Sequence, residues 1–206
     1  MMLSAYLHSQ DNIVDIGCDH ALLDIYLKNK FPQMKIVASD IFKGPLEIAH
    51  KNILKYGMEE KIELRLGDGL DVVDEKVDTI VISGMGTKTI LNILKNINDY
   101  PWIKKMVLSP NNDFKILRRE ISRLNFKIQK EELVLENGKY YLIIEFVKGF
   151  EKIDEFFGKL DLDNSIIKDY YLSIYEKNKK ILNNHITSEY CKELKAENKK
   201  IERKIK

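Results

Sequence analysis

Apolar residues along this chain change their period repeatedly, and each change marks an element. NIVDIG (12–17) is a short apolar run that ends in glycine, as a buried strand does. ALLDIYLKNK (21–30) instead repeats Leu22, Leu23, Tyr26 and Leu27 at helical spacing. MKIVASD (34–40) predicts the next strand, and GPLEIAHKNILKYG (44–57) a helix with Pro45 near its start and Gly57 as its stop. KIELRLGDG (61–69), VDTIVISGMG (77–86) and KKMVLSP (104–110) predict three more strands. TKTILNILKNI and DFKILRREISRLN (113–125) predict two more helices.

Five β-α units in series predict an α/β fold of Rossmann-like type, with parallel strands, right-handed crossovers and helices on both faces. FKIQKEELVLENGKYYLIIEFVKG (126–149) breaks the series with two extended runs around Asn137-Gly138, a strong hairpin signal. It adds an antiparallel pair to the sheet. From about residue 160 strand signals stop. Ile167, Tyr171, Ile174, Ile181 and His185 share one helical face. After a break near Asn183–Ser188, Tyr190, Leu194, Ile201 and Ile205 share another. This predicts a coiled-coil-like helical hairpin, and hence two domains, 1–150 and 151–206.

The 206 residues suffice for one good core with chain to spare. Nothing approaches the roughly 18 apolar residues of a membrane span, and MMLSAYLHSQDN lacks the pattern of a signal peptide. No membrane association is expected. Cys18 and Cys191 have neither pairing nor zinc spacing, so no metal and a reduced, cytoplasmic setting are expected. Charge changes the picture more. Residues 1–150 balance 21 Lys/Arg against 21 Asp/Glu, whereas residues 177–206 carry ten Lys/Arg and four Glu. A tail with an excess of +6 suits either a solvated helix face or a phosphate-binding surface.

Ligands of an open α/β sheet sit outside the carboxyl ends of its strands, and all five ends here carry polar residues or glycine. After the first strand, Gly17 can let backbone approach a ligand, but Asp15 and Asp19 bracket it. Carboxylates there disfavour a pyrophosphate and suit a ligand with an ammonium group. Asp19 is alternatively a helix cap, and His20 a first-turn polar residue. Asp40 follows Gly17 by 23 residues, near the ~20 at which an acid meets ribose hydroxyls. Gly67-Asp68-Gly69, Ser83-Gly84-Met85-Gly86 and Ser109-Pro110-Asn111-Asn112-Asp113 complete the rim. Asn111 offers donors and an acceptor; Asn112 or Asp113 reads also as a cap for the helix that follows. The set fits S-adenosylmethionine better than NAD, whose glycine fingerprint is incomplete here.

In DIGCDHALL, KGPLEIAHKN, GDGL, VDTIVISGMG and LSPNND the chain resembles the TrmK family, class I methyltransferases that methylate N1 of adenosine 22 in tRNA. The resemblance covers residues 1–150 in order and extends to a helical C-terminal domain; it departs at Cys18 and Ser109. It implies S-adenosyl-L-methionine as cofactor, held by Asp15, Gly17, Cys18, Asp19 and His20 at its methionine end and by Asp40 and Ile41 at its ribose. Asp68 and Gly69 would border the adenine, and Gly84 and Met85 close the pocket. Asp19 and Asn111 are the candidate catalytic pair. Lys177, Lys179, Lys180, Lys192, Lys195, Lys199 and Arg203 would grip tRNA, with the protein acting as a monomer. Another methyl acceptor, or an RNA-binding protein that keeps the fold without catalysis, stays open as an alternative.

Overall fold

The structure, a computed structural model, describes residues 2–183 and 189–205. Strands β1 (Asn12–Ile16), β2 (Lys35–Asp40), β3 (Ile62–Leu66), β4 (Thr79–Met85), β5 (Lys105–Pro110), β6 (Phe126–Glu136) and β7 (Lys139–Lys148) form one sheet in the order β3-β2-β1-β4-β5-β7-β6. The first five are parallel and β7 runs antiparallel to β5. Ile80, Val81 and Ile82 of β4 and Met106, Val107 and Leu108 of β5 are all buried, which is why these strands read as continuous apolar runs. Asn137 and Gly138 both have positive φ, 50° and 74°, the backbone a two-residue hairpin turn requires.

Helices α1 (Leu22–Lys30), α2 (Lys43–Lys55), α3 (Thr87–Leu94) and α4 (Phe114–Arg123) match the expected positions. One expected unit differs. Between β3 and β4 the chain forms only a 3₁₀ turn, Gly69–Val72, so the third crossover has no α-helix; too few residues separate the strands to wind one and return.

Packing resolves into two compact units, Met1–Glu132 with Leu142–Lys159, and Leu133–Tyr141 with Leu160–Lys206. In the first, Arg118 is 1% exposed and its Nε donates to Glu131 Oε2 at 2.9 Å. Its Nη1 donates to the carbonyls of Phe156 at 2.9 Å and Glu155 at 3.3 Å, and Glu131 Oε1 accepts the Lys159 N–H. One buried ion pair thus fastens the segment after β7. Gly158 passes directly over it with φ +63°, and a Cβ there would collide with Glu131 and Arg118.

In the second unit, helix α5 (Ser165–Leu182) is capped by Asn164, whose Oδ1 accepts the Ile166 N–H at 2.9 Å. It packs on α6 (Glu189–Lys204). The buried seam is Ile167, Tyr171, Tyr175 and Asn178 against Cys191, Leu194, Asn198 and Ile201, spaced by threes and fours as knobs and holes are. Tyr190, expected on the buried face, is 55% exposed; it lies one residue, about 100° of helix, off the seam that Cys191 occupies. Ile174 is only partly buried. His185 and most of the expected break lie outside the described residues.

Two asparagines sit inside that seam. Asn178 Nδ2 donates to Asn198 Oδ1 at 3.1 Å, and Asn198 Nδ2 to the Tyr175 carbonyl at 3.4 Å. Polar pairs at such positions fix register at a cost in stability. Asn198→Leu is expected to destabilise by about 1–3 kcal/mol in thermal unfolding, because the Asn178 amide keeps its burial and loses its 3.1 Å acceptor, retaining only Glu197 Oε2 at 3.5 Å. Replacing both by leucine should recover that loss.

Candidate cofactor site

The strand order reverses between β1 and β4, and ligand crevices of open sheets form outside the carboxyl ends at such a switch point. Two loops meet there. Gly17 leaves β1 with φ +79°, its N–H and that of Cys18 both donating to the Ser39 carbonyl at 2.8 and 2.9 Å. Gly84, φ +73°, sits in a bulge where the β4–β5 register shifts, a common way to re-aim a strand end beside a site. A Cβ on Gly17 would fall on Met85 Cε, so the loops approach to contact and the Met85 side chain would have to move for any larger residue.

The DIGCDHALL loop is wound tighter than its sequence suggests. Asp19 (φ 51°) and Ala21 (φ 53°) are left-handed along with Gly17, a conformation unfavourable for residues with a Cβ and concentrated at functional sites. The cap of α1 is Ala21, with no side-chain bond. The alternative reading of Asp19 as that cap is thereby corrected: its carboxylate is 70% exposed and stands 3.5 Å from His20 Nε2. Asn52 of α2 pins the loop, its Nδ2 donating to the His20 carbonyl at 2.9 Å. Asp113, φ 52°, precedes α4 without a side-chain cap bond. Asn112 instead serves α3, its Oδ1 accepting the Thr87 N–H at 2.9 Å and its carbonyl the Thr87 hydroxyl at 2.5 Å.

The two carboxylates that bracket Gly17 in sequence are unlike in space. Asp19 is in water, whereas Asp15 is 4% exposed and its Oδ1 has no hydrogen-bond partner. Burial, reinforced by the charge of Asp40, pushes the Asp15 carboxyl up to about 7. Asp40, ending β2, is buried and uses Oδ1 to accept the Phe42 N–H at 2.9 Å. Burial first, then Asp24, Asp15 and Asp40, raises the Cys18 thiol above its usual range, which favours the protonated form.

The rest of the rim is open. Ile41 is half exposed, Asp68 and Gly84 are exposed, and Gly69 is buried with φ +55°. Asn111 lies at the surface, where its Nδ2 donates to the Gly84 carbonyl at 2.6 Å and its N–H to the Met85 carbonyl at 2.9 Å. The first unit therefore brings together Asp15, Gly17, Cys18, Asp19, His20, Asp40, Ile41, Asp68, Gly69, Gly84, Met85 and Asn111 around one end of the sheet. Lys177, Lys179, Lys180, Lys192, Lys195, Lys199 and Arg203 are all exposed on the second unit's helices. Lys192 is paired with Glu189 at 3.1 Å.

Sequence reasoning passed over Asp24 and Asn52, and read Asn112 only as a cap for the helix that follows it. Asp24 stands in the first turn of α1, fully buried, with neither carboxylate oxygen hydrogen-bonded. Burial and the charge of Asp15 raise its carboxyl well above the usual range. Asp24 shares the side of α1 on which Leu27 is buried, whereas Leu22 and Tyr26, expected on the apolar face, are 48% and 39% exposed.

Comparison with known proteins decides the family. The family described as methyltransferase domain matches residues 1–144, and the structure of Mycoplasma capricolum TrmK in complex with S-adenosyl-homocysteine superposes with TM-score 0.85 at 30% identity, over 100% of this chain and 96% of that one. The chain belongs to the TrmK family of methyltransferases. A Streptococcus pneumoniae relative solved with S-adenosyl-L-methionine gives TM-score 0.87 at 27% identity, covering 100% and 98% of the two chains. The tRNA (adenine(22)-N(1))-methyltransferase of Bacillus subtilis is 30% identical over 144 residues, 69% of this chain and 60% of its own length. This TrmK-family chain thus aligns with 60–62% of the length of the curated relatives it matches.

Proposed function

We propose that the protein transfers a methyl group from S-adenosylmethionine to N1 of an adenosine in tRNA, at position 22 as named for the B. subtilis relative. The observation that carries this reading is Asp15, a buried carboxylate with an unpartnered oxygen beside the glycine loop of the β1–β4 crevice. It matches the cofactor's ammonium group. Asp40, at the end of β2, matches a ribose diol. Gly17, Cys18, His20, Gly84 and Met85 supply close backbone and pocket walls, Ile41 stands with Asp40 at the ribose, and Asp68 and Gly69 border the adenine. The cofactor supplies an activated methyl group on a sulfonium.

Adenine N1 already holds a lone pair at neutral pH, so the residues need not generate a nucleophile. What they do is position the base and stabilise the positive charge it acquires. Asp19 holds an exposed carboxylate on a fixed left-handed backbone at the rim. Asn111 is oriented through its amide by the Gly84 carbonyl, which leaves its Oδ1 to accept from the exocyclic amine. N1 is blocked in a base pair, so the target must be unpaired or extruded. The lysines of α5 and α6, with Arg203, take the phosphate backbone.

The test is to incubate the protein with labelled S-adenosylmethionine and unmodified tRNA, then locate the methyl group by nuclease digestion and mass spectrometry. Label in 1-methyladenosine is the expected result; label in another nucleoside, or none, overturns the reading. The grip has its own signature. If about six phosphates are neutralised, tRNA affinity falls about a thousandfold between roughly 50 and 200 mM salt. Changing Lys195, Lys199 and Arg203 to Glu should flatten that slope in filter-binding assays while cofactor affinity stays unchanged.

A further inference from the structure

Helix α3 starts without a cap of its own. The residue before it is Gly86, which has no side chain to accept the orphan N–H groups of the first turn. The acceptor comes from 25 residues along the chain: Asn112 Oδ1 takes the Thr87 N–H at 2.9 Å. The bond is returned, since the Thr87 hydroxyl donates to the Asn112 carbonyl at 2.5 Å. Thr87 is 2% exposed, whereas Asn112 is exposed, so these two bonds and not burial hold Asn112 in place. One position earlier, Asn111 makes two bonds to the same stretch, through its N–H to the Met85 carbonyl and through Nδ2 to the Gly84 carbonyl. Four hydrogen bonds thus join two consecutive residues at the end of β5 to residues 84–87. Asp113, next along, is left-handed at φ 52°, a conformation that persists only where the surroundings over-determine it.

We propose that Asn112 is a positioning residue for the methyl acceptor: by clasping Thr87 it fixes the β5 loop on the start of α3, and so holds the Asn111 amide where its Oδ1 receives the exocyclic amine of adenine. The inference rests on the reading that Asn111 contacts that amine. Asn111 cannot secure its own orientation. Its side chain is exposed, and one hydrogen bond in contact with water favours one arrangement over others by a factor of about ten at most. The clasp supplies the missing constraint. The peptide between the two asparagines is planar and sets their Cα atoms about 3.8 Å apart, so an anchored Asn112 leaves Asn111 little room to move.

A plain helix cap and a positioning residue differ in what they change. Loss of a cap loosens α3 and has no particular bearing on the methyl-transfer step. Loss of a positioning residue appears in kcat, because a displacement of about 1 Å at a reacting group costs up to about a hundredfold. It also disappears once the residue being positioned is gone, since two residues that act as a unit give non-additive losses.

The experiment is single-turnover methylation of unmodified tRNA by the full chain at saturating S-adenosylmethionine, with S-adenosylhomocysteine affinity measured by calorimetry. Asn112→Ala should slow methyl transfer about tenfold and leave that affinity unchanged. Asn112→Asp keeps an acceptor for the Thr87 N–H and places negative charge at a helix N-terminus, where it is favoured; it should stay within about twofold of the wild-type rate. The double variant Asn111→Ala/Asn112→Ala should be no slower than Asn111→Ala alone. Should Asn112→Ala fail to fold, the other end of the clasp carries the same comparison: Thr87→Val, which loses the hydroxyl, should be slow, and Thr87→Ser, which keeps it, should not. A wild-type rate in Asn112→Ala overturns the proposal. Equal losses in the Ala and Asp variants overturn it as well, and so do losses that multiply in the double variant, since Asn112 would then act apart from Asn111. An unaffected Asn111→Ala overturns the role of Asn111 on which the proposal rests. A wild type that methylates no adenosine overturns the functional reading instead.

Discussion

Arg118→Ala is expected to destabilise the protein by about 3–5 kcal/mol, read from urea or thermal unfolding. That is a large fraction of the roughly 5–15 kcal/mol that holds a typical protein folded. The size follows from what is left behind. Glu131 would remain in the interior with its charge and without its 2.9 Å partner, and the carbonyls of Glu155 and Phe156 would lose their donor. Arg118→Lys should fare little better, because an ammonium on a shorter reach cannot serve a carboxylate and two carbonyls at once. The double variant Arg118→Met/Glu131→Leu should be markedly more stable than Arg118→Ala, since it removes both buried charges. Gly158→Ala should fail for a related reason, its Cβ meeting the same ion pair on a left-handed backbone.

Asp19→Asn is expected to lower kcat about a hundredfold while melting temperature holds. Asparagine tolerates the left-handed backbone of Asp19, φ 51°, as well as aspartate does, so the loop is retained and only charge is lost. Asp19 caps no helix, and a surface change of this kind shifts stability by no more than about 0.5 kcal/mol. Single-turnover methylation of tRNA at saturating cofactor isolates the step. Unchanged turnover would make Asp19 a loop-former, and the charge that stabilises the methylated base would have to come from elsewhere. Asp19→Ala is the poorer probe, because it adds backbone strain to the loss of charge.

Much of this architecture was legible in the order of residues. The central strands announced themselves because burial on both faces forces continuous apolar runs, and Asn137-Gly138 because a tight hairpin demands two positive φ values. The rim was legible because glycine and carboxylates recur where each strand ends. What failed to show has physical causes. Ala21 has no chemical preference for a left-handed cap, so nothing in its identity advertises one. Asn112 looks like the cap of the helix that follows it; its partner, Thr87, is 25 residues away and is supplied by the sheet. Asp24 was passed over because a carboxylate in the first turn of a helix usually faces water and the helix dipole. Tyr190 fits the helical spacing of Leu194, Ile201 and Ile205, but Cys191, one position along, is the residue that fits the seam.

The grouping of Leu133–Tyr141 with Leu160–Lys206 bears on the order in which the chain can acquire its structure. Neither unit is a continuous stretch of sequence, so the second cannot close until the β6–β7 hairpin has presented its tip. Tyr140 then meets Tyr170 edge to face at 5.0 Å, a contact that spans 30 residues of chain. A ribosome releasing this protein would have the hairpin in hand before the helices emerge, because both of its strands precede α5 in the chain.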